Sequence, residues 1–298
     1  MERNFIGYGQ HVPRIEWPGG ARIAVSVVVS YEEGAEHSLL DGDSQGETAA
    51  DFTSPIPINQ RDLLIESFFE YGSRVGIWRI LDLLEKHQVV ASFFASAMAL
   101  ERNLDAAKQI IARGHEVCGH GYRWEESHLM DRETERQRIK MAVDSIARST
   151  GDRPLGWHVR MGPSLNTREL LVEEGGFVYD CNNAFNDDLP YYVDVKGIKW
   201  LVIPYAMDVN DGRAFRGGGA FGPTAFLEIM SRTFDYLYEE GKTHPKMMSI
   251  GLHCRVTGRP ALAWALDQFL QYAKGFAGVW FPRRIDIARW WLKQYPAS

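Results

Sequence analysis

Arg22 to Ser30 reads Arg-Ile-Ala-Val-Ser-Val-Val-Val-Ser, a β-branched run too continuous for a strand with one face in water. A strand of this kind has to be covered on both sides, which calls for helices packed on a largely parallel sheet. The rest of the chain supplies that cover, because short apolar runs alternate with longer amphipathic stretches. Strands are expected at Val89 to Ser96, His115 to Gly119, Leu155 to His158, Val178 to Cys181, Trp200 to Tyr205, Met247 to His253 and Val279 to Phe281. Helical spacing covers Gly76 to His87, Asn103 to Arg113, Asp131 to Thr150, Thr167 to Glu174, Pro223 to Glu240, Pro260 to Lys274 and Arg284 to Lys293. Roughly seven or eight β/α units with no linker between them predict one α/β domain over residues 1–298, closed most simply as a single (β/α) barrel behind an N-terminal extension, 1–20. The segment 34–73 breaks the alternation, carrying Gly34, Asp41-Gly42-Asp43, Gly46, Pro55 and Pro57. A loop of that length inside a domain is usually functional.

The remaining global features narrow the partners. Lys and Arg number 33 against 39 Asp and Glu, a net charge of −6, which gives no general attraction to nucleic acid or to an anionic membrane. No apolar run approaches the ~20 residues of a membrane span, and the start lacks the pattern of an export signal. Cys118, Cys181 and Cys254 are too few and too widely spaced for a disulfide framework or a paired zinc motif, so a reducing cytoplasm is expected.

In a β/α barrel the chemistry lies at the C-terminal ends of the strands, and several of those ends are polar. The first runs into Ser30-Tyr31-Glu32-Glu33-Gly34, two carboxylates that could serve as base or metal ligand, or form an ordinary acidic turn. The third runs into Gly119-His120-Gly121-Tyr122-Arg123-Trp124, the fourth into Gly156-Trp157-His158-Val159-Arg160, and a later one into Gly251-Leu252-His253-Cys254-Arg255. Asp208 and Asp211 follow the strand ending near Tyr205, and either could orient a histidine. Together these residues suffice for acid/base hydrolysis of a carbonyl compound. Other site types fit less well. Gly42-Asp43-Ser44-Gln45-Gly46 spells a nucleophile elbow but lacks the flanking strand and helix, and the glycines of Arg216 to Gly222 lack the Lys of a phosphate loop. Cys254 is sequence-adjacent to His253 and so expected on the opposite face, in packing.

At these residues the sequence resembles the polysaccharide deacetylase (NodB-homology) superfamily, whose fold is a distorted (β/α) barrel. Within it the chain is most similar to the branch of metal-independent allantoinases and cyclic imide hydrolases. Matching segments include Phe5-Ile6-Gly7-Tyr8-Gly9, Tyr31-Glu32-Glu33-Gly34, Glu70-Tyr71-Gly72-Ser73-Arg74, His120 to Trp124, Asp187 to Tyr191 and Leu252-His253-Cys254-Arg255. The resemblance implies that Glu32 is the catalytic base, that Glu33 and His120 occupy metal-ligand positions, and that His253 is the general acid. It places Trp124 where the second ligand histidine would stand, leaving too few ligands for a closed zinc site unless His128 substitutes. No cofactor is therefore expected, with a weakly held divalent zinc as the alternative. Arg160 is expected to orient Glu32 and steady an oxyanion. Tyr31, His120, Trp124, Trp157, Asp208 and Asp211 are expected around the substrate.

The stretch Gly156 to Ser164 differs from the allantoinase pattern and, through Val159 and Met161, is more apolar, which favours a cyclic imide over allantoin. The expected reaction is hydrolytic opening of a small cyclic amide, imide or ureide. The alternatives are metal-dependent N-deacetylation of a sugar polymer and an inactive ligand-binding barrel. The resemblance also implies a homo-oligomer, a tetramer. Trp290 and Trp291 could serve that contact or pack onto their own barrel.

Overall fold

The structure, a computed structural model, describes residues 3–48, 54–182, 185–214 and 222–297. Its centre is the expected buried strand, β1 (Ile23–Tyr31), with every residue buried. Parallel neighbours spread to either side: β2 (Ala91–Ala95), β3 (Glu116–Gly119), β4 (Gly156–Trp157) and β5 (Tyr179–Asp180) on one, β8 (Lys246–His253) on the other. A hairpin, β6 (Tyr191–Val195) and β7 (Ile198–Val202), adds the edge beyond β5, with β6 antiparallel. The short β9 (Val279–Trp280) pairs with the first two residues of β1, below β2. The sheet curls into an incomplete barrel in the order β6, β7, β5, β4, β3, β2, β1, β8. The chain after β7 reaches β8 through a single parallel bridge, Asn210 with Gly251, where the Gly251 N–H donates to the Val209 carbonyl at 2.8 Å.

Helices α2 (Ile77–Lys86), α3 (Ala97–Arg102), α4 (Leu104–Ala112), α5 (Arg132–Thr150), α6 (Thr167–Glu174), α7 (Pro223–Glu240), α8 (Pro260–Lys274) and α9 (Arg284–Gln294) follow the predicted spacing, α3 being an addition. No described helix is long and apolar enough to cross a membrane. The segment 34–73 is not all loop: α1 (Leu63–Tyr71), capped by the Asp62 carboxylate, runs through a π-helical turn (Gly72–Gly76) into α2. A Cβ at Gly72 would overlap the Glu33 carboxylate, so glycine there lets the helix lie directly on the end of β1.

Side-chain alternation along β1 divides the interior in two. Ile23, Val25, Val27, Val29 and Tyr31 face the helices, in a core shared with Ile80, Leu84 and Phe269. Ala24 and Val28 face into the barrel with Phe94, Cys118, Tyr179 and Tyr205. Trp17 of the N-terminal extension, Trp280 and Trp290 close the end of the barrel near the start of β8, with ring centroids of Trp17 and Trp290 4.8 Å apart. Trp291 is buried in the same cluster, so this aromatic group packs on its own barrel rather than standing out as a contact surface.

Candidate active site

The register that turns Tyr31 outward turns Glu32 inward. Glu32 is buried at the C-terminal end of the barrel, with Oε1 3.3 Å from His120 Nε2 and 3.8 Å from His253 Nε2. His120 comes from the end of β3 and His253 from the end of β8, so three strand ends converge on one carboxylate oxygen. The His253 side chain keeps 14% exposure where those of Glu32 and His120 keep 2% and 3%, which makes His253 the open edge of the group. Asp211 holds that edge in place. Its Oδ1 lies 2.6 Å from His253 Nδ1, and its Oδ2 accepts from the His253 N–H at 2.7 Å and from the Thr257 hydroxyl at 2.6 Å. This leaves His253 Nε2 toward Glu32, the orientation an acid partner requires.

The second oxygen of Glu32 accepts from Arg255 Nη1 at 2.7 Å. Arg160, expected in that role, does not reach Glu32. It pairs with Glu47 through two 2.7 Å hydrogen bonds, donates to the Trp124 carbonyl at 2.8 Å and lies 3.2 Å from Glu126. The Trp124 ring lies against both guanidiniums, 3.8 Å from that of Arg160 and 5.2 Å from that of Arg255. Arg160 thus secures the long loop to the barrel, as do Arg123, which donates to Asp43 at 2.9 Å, and Arg102, which pairs with Asp41.

Several other expected positions move as well. Tyr31 and Trp157 face the helix layer, where the Tyr31 hydroxyl meets Ser73 at 2.9 Å and Trp157 packs on Phe177, so neither borders the site. Asp208 is exposed, leaving the histidine contact to Asp211. Trp124 is buried against Phe69, and its indole N–H makes no hydrogen bond. Cys254 lies in the helix-side core and Ser44 is exposed. Of the glycine stretch 216–222, all but Gly222 lies outside the described residues. In place of Trp157, His158 faces inward. It stacks on His120 with centroids 5.3 Å apart and planes 3° from parallel, and its carbonyl lies 3.3 Å from His120 Nδ1. Arg255 and His158 were the residues missed. The available signal was spacing, since Arg255 stands two positions beyond His253 and His158 follows an outward tryptophan.

The donor set does not fit a closed zinc site. Glu33 is turned into backbone, accepting from the Glu32 N–H and the Arg255 N–H at 3.0 Å each. His128 is exposed, and among the described residues no three His, Cys, Asp or Glu side chains are arranged to hold a metal.

Electrostatics separates the two central groups. Burial raises the Glu32 pKa, but Arg255, His253 and His120 together outweigh it and hold the carboxyl below the ordinary range. Burial lowers the His253 pKa, but the charges of Asp211 and Glu32 outweigh it and hold the imidazole above its ordinary value. The carboxyl is thereby held toward its ionised form and the imidazole toward its protonated form, an arrangement able to serve as base and acid. With Glu32 as base and His253 as acid, the roles expected from the sequence, kcat/KM is expected to fall as pH rises through the raised His253 pKa. Asp211→Asn removes the largest raising charge, so the alkaline limb should move to lower pH. An unmoved limb in that variant would remove Asp211 from this role.

With this geometry in view, its relatives are informative. The polysaccharide deacetylase family model matches residues 59–179. A Schizosaccharomyces pombe protein named "Putative polysaccharide deacetylase" is 37% identical, the match covering 97% of this chain and 96% of the relative. The chain belongs to the polysaccharide deacetylase family. Two solved structures also share its course. One, described as a "probable Polysaccharide deacetylase" from Pseudomonas aeruginosa PAO1, is 44% identical with a TM-score of 0.94, covering 100% of both chains. The other, the crystal structure of Puue allantoinase, is 45% identical with a TM-score of 0.95, covering 100% of this chain and 99% of that one. As a polysaccharide deacetylase family member the chain is a hydrolase of C–N bonds, built on the family's curled α/β barrel.

Proposed function

We propose that this hydrolase opens a small cyclic ureide or amide at a ring C–N bond, without a resident metal. The observation that carries the reading is Trp124: at the ligand-histidine position stands an indole, which has no lone pair to offer a metal and is packed against the Arg160 and Arg255 guanidiniums. The carbonyl must then be activated by the substrate itself. A ring nitrogen flanked by a second carbonyl meets that need, because its departing charge is delocalised, unlike that of a simple acetamide.

Glu32 takes a proton from water as the water oxygen adds to the ring carbonyl. The C–N bond then breaks, and His253, oriented by Asp211, gives its proton to the leaving nitrogen. The product carries a carboxyl group and a free amide or ureide on one open chain. The likeness to Puue allantoinase supports this reading, while relatives named as deacetylases support removal of N-acetyl groups by the same pair.

A turnover screen on hydantoin, succinimide, dihydrouracil, allantoin and N-acetylglucosamine oligomers, with and without chelator, separates the two. Ring opening unaffected by chelator is the expected outcome. Acetate release from the oligomers alone, lost on chelation, would replace the proposal with the deacetylase reading.

A further inference from the structure

Beside the catalytic group lies a cleft of about 200 Å³, bordered by His158, Val159, Met161, Pro163, Asn182, Phe185 and Asn186. One imidazole separates it from the chemistry, since His158 stacks on His120 and His120 faces Glu32. Asn182 is 2% exposed, yet neither its carboxamide oxygen nor its carboxamide nitrogen has a hydrogen-bond partner. A buried amide in this state is costly unless something fills the cleft and pairs with it.

The Asn182 backbone is fully committed. Its N–H donates to Asp180 Oδ1 and its carbonyl accepts from Arg168 Nη2, at 2.8 Å each. Asp180 is itself held by Arg168 at 2.7 and 2.9 Å and by the Trp200 indole N–H at 2.6 Å. The side chain is therefore fixed in position with its polar edge unspent. The unpartnered Nδ1 of His158 adds a further polar atom on the cleft wall.

We infer that Asn182 is a specificity-determining residue, pairing with a neutral carbamoyl or ureido group appended to the substrate ring. The inference rests on the ring-opening function proposed above. A carboxamide offers one donor and one acceptor side by side, and the complementary partner is another –NH–CO– edge. Among the described residues the cleft lining has no carboxylate, Lys or Arg to serve as counter-ion for a charged carboxylate or an ammonium tail. Val159 and Met161, whose apolar character in the sequence favours an imide, here join Pro163 and Phe185 as the cleft's apolar walls, surface suited to the flat faces of a carbamoyl or ureido group paired with Asn182. Met161 is held at φ 58°, uncommon for a side-chain-bearing residue, at the lip of the same cleft.

Allantoin and hydantoin form the test pair, because they share the ring and differ by the ureido tail. Wild type should prefer allantoin in kcat/KM. Asn182→Leu removes both partners, and the preference should fall by on the order of 10- to 100-fold, the loss of two hydrogen bonds, chiefly through KM. Asn182→Asp, which cannot donate, should also lose preference, and it serves if the leucine variant does not fold. An unchanged preference, or equal loss on both rings, would overturn the assignment. Calorimetric titration of both compounds into wild type, Asn182→Leu and Asn182→Asp covers the case in which neither ring is opened. Tighter binding of allantoin that depends on Asn182 would then uphold the subsite while the ring-opening function fell, and binding indifferent to Asn182 would refute the subsite.

Discussion

Replacing Glu32 by Gln is expected to lower kcat by about 10²- to 10⁴-fold or more while the chain stays folded. The substitution preserves volume and removes only the charge and the basic oxygen. The carboxylate also faces two imidazoles and a guanidinium, so the neutral variant should shift the His253 titration downward, because one of the two anions raising it is gone. Far-ultraviolet circular dichroism, a thermal melt and steady-state rates on the ring substrates check this together. A Glu32→Gln variant with near-normal turnover would show that the base lies elsewhere.

The second large effect is on stability. Arg255 is 1% exposed, bonded to Glu32 at 2.7 Å and 3.6 Å from Glu33, with Phe69 under its guanidinium at 4.5 Å. Arg255→Leu keeps much of the packing but takes away the cation shared by two buried carboxylates. Removing one partner of a buried ion pair costs about 3–5 kcal/mol, a large share of a typical domain's stability. Denaturant titration should show that loss, and it should shrink at low pH, where protonation of the carboxyls removes the uncompensated charge. If the stability change is small and independent of pH, Arg255 is not the group that balances the pair.

How far the sequence could be read is clearest at particular residues. The continuous β-branched run of β1 and the helical spacing of α5, α7 and α8 were legible because burial dictates residue type there directly. Helix α1 was not, because Leu63 and Leu64 are exposed and blur the apolar stripe. Strand β6 was missed because it is an edge strand with partly exposed residues, lacking the dense apolar run of the central strands. At the site, Glu32, His120, His253 and Asp211 were visible as polar residues at or after strand ends. The exchange of Arg160 for Arg255 was not. Which guanidinium meets Glu32 depends on Glu47, 113 residues away from Arg160 in sequence, and on an indole lying against both. Contacts of that kind follow from three-dimensional packing, and no local pattern encodes them.

Where β1 and β8 are joined by a full ladder, the seam before β8 is closed by one backbone bridge, Asn210 with Gly251, and by the Asp211 carboxylate, which accepts from the N–H groups of His253 and Thr257 and from the Thr257 hydroxyl. Asp211, which holds the His253 imidazole toward Glu32, is the next residue along that seam. Local opening begins where few backbone bonds resist it. One carboxylate thus both fastens the seam and fixes the imidazole, so a change that loosens this joint is expected to alter proton delivery along with it.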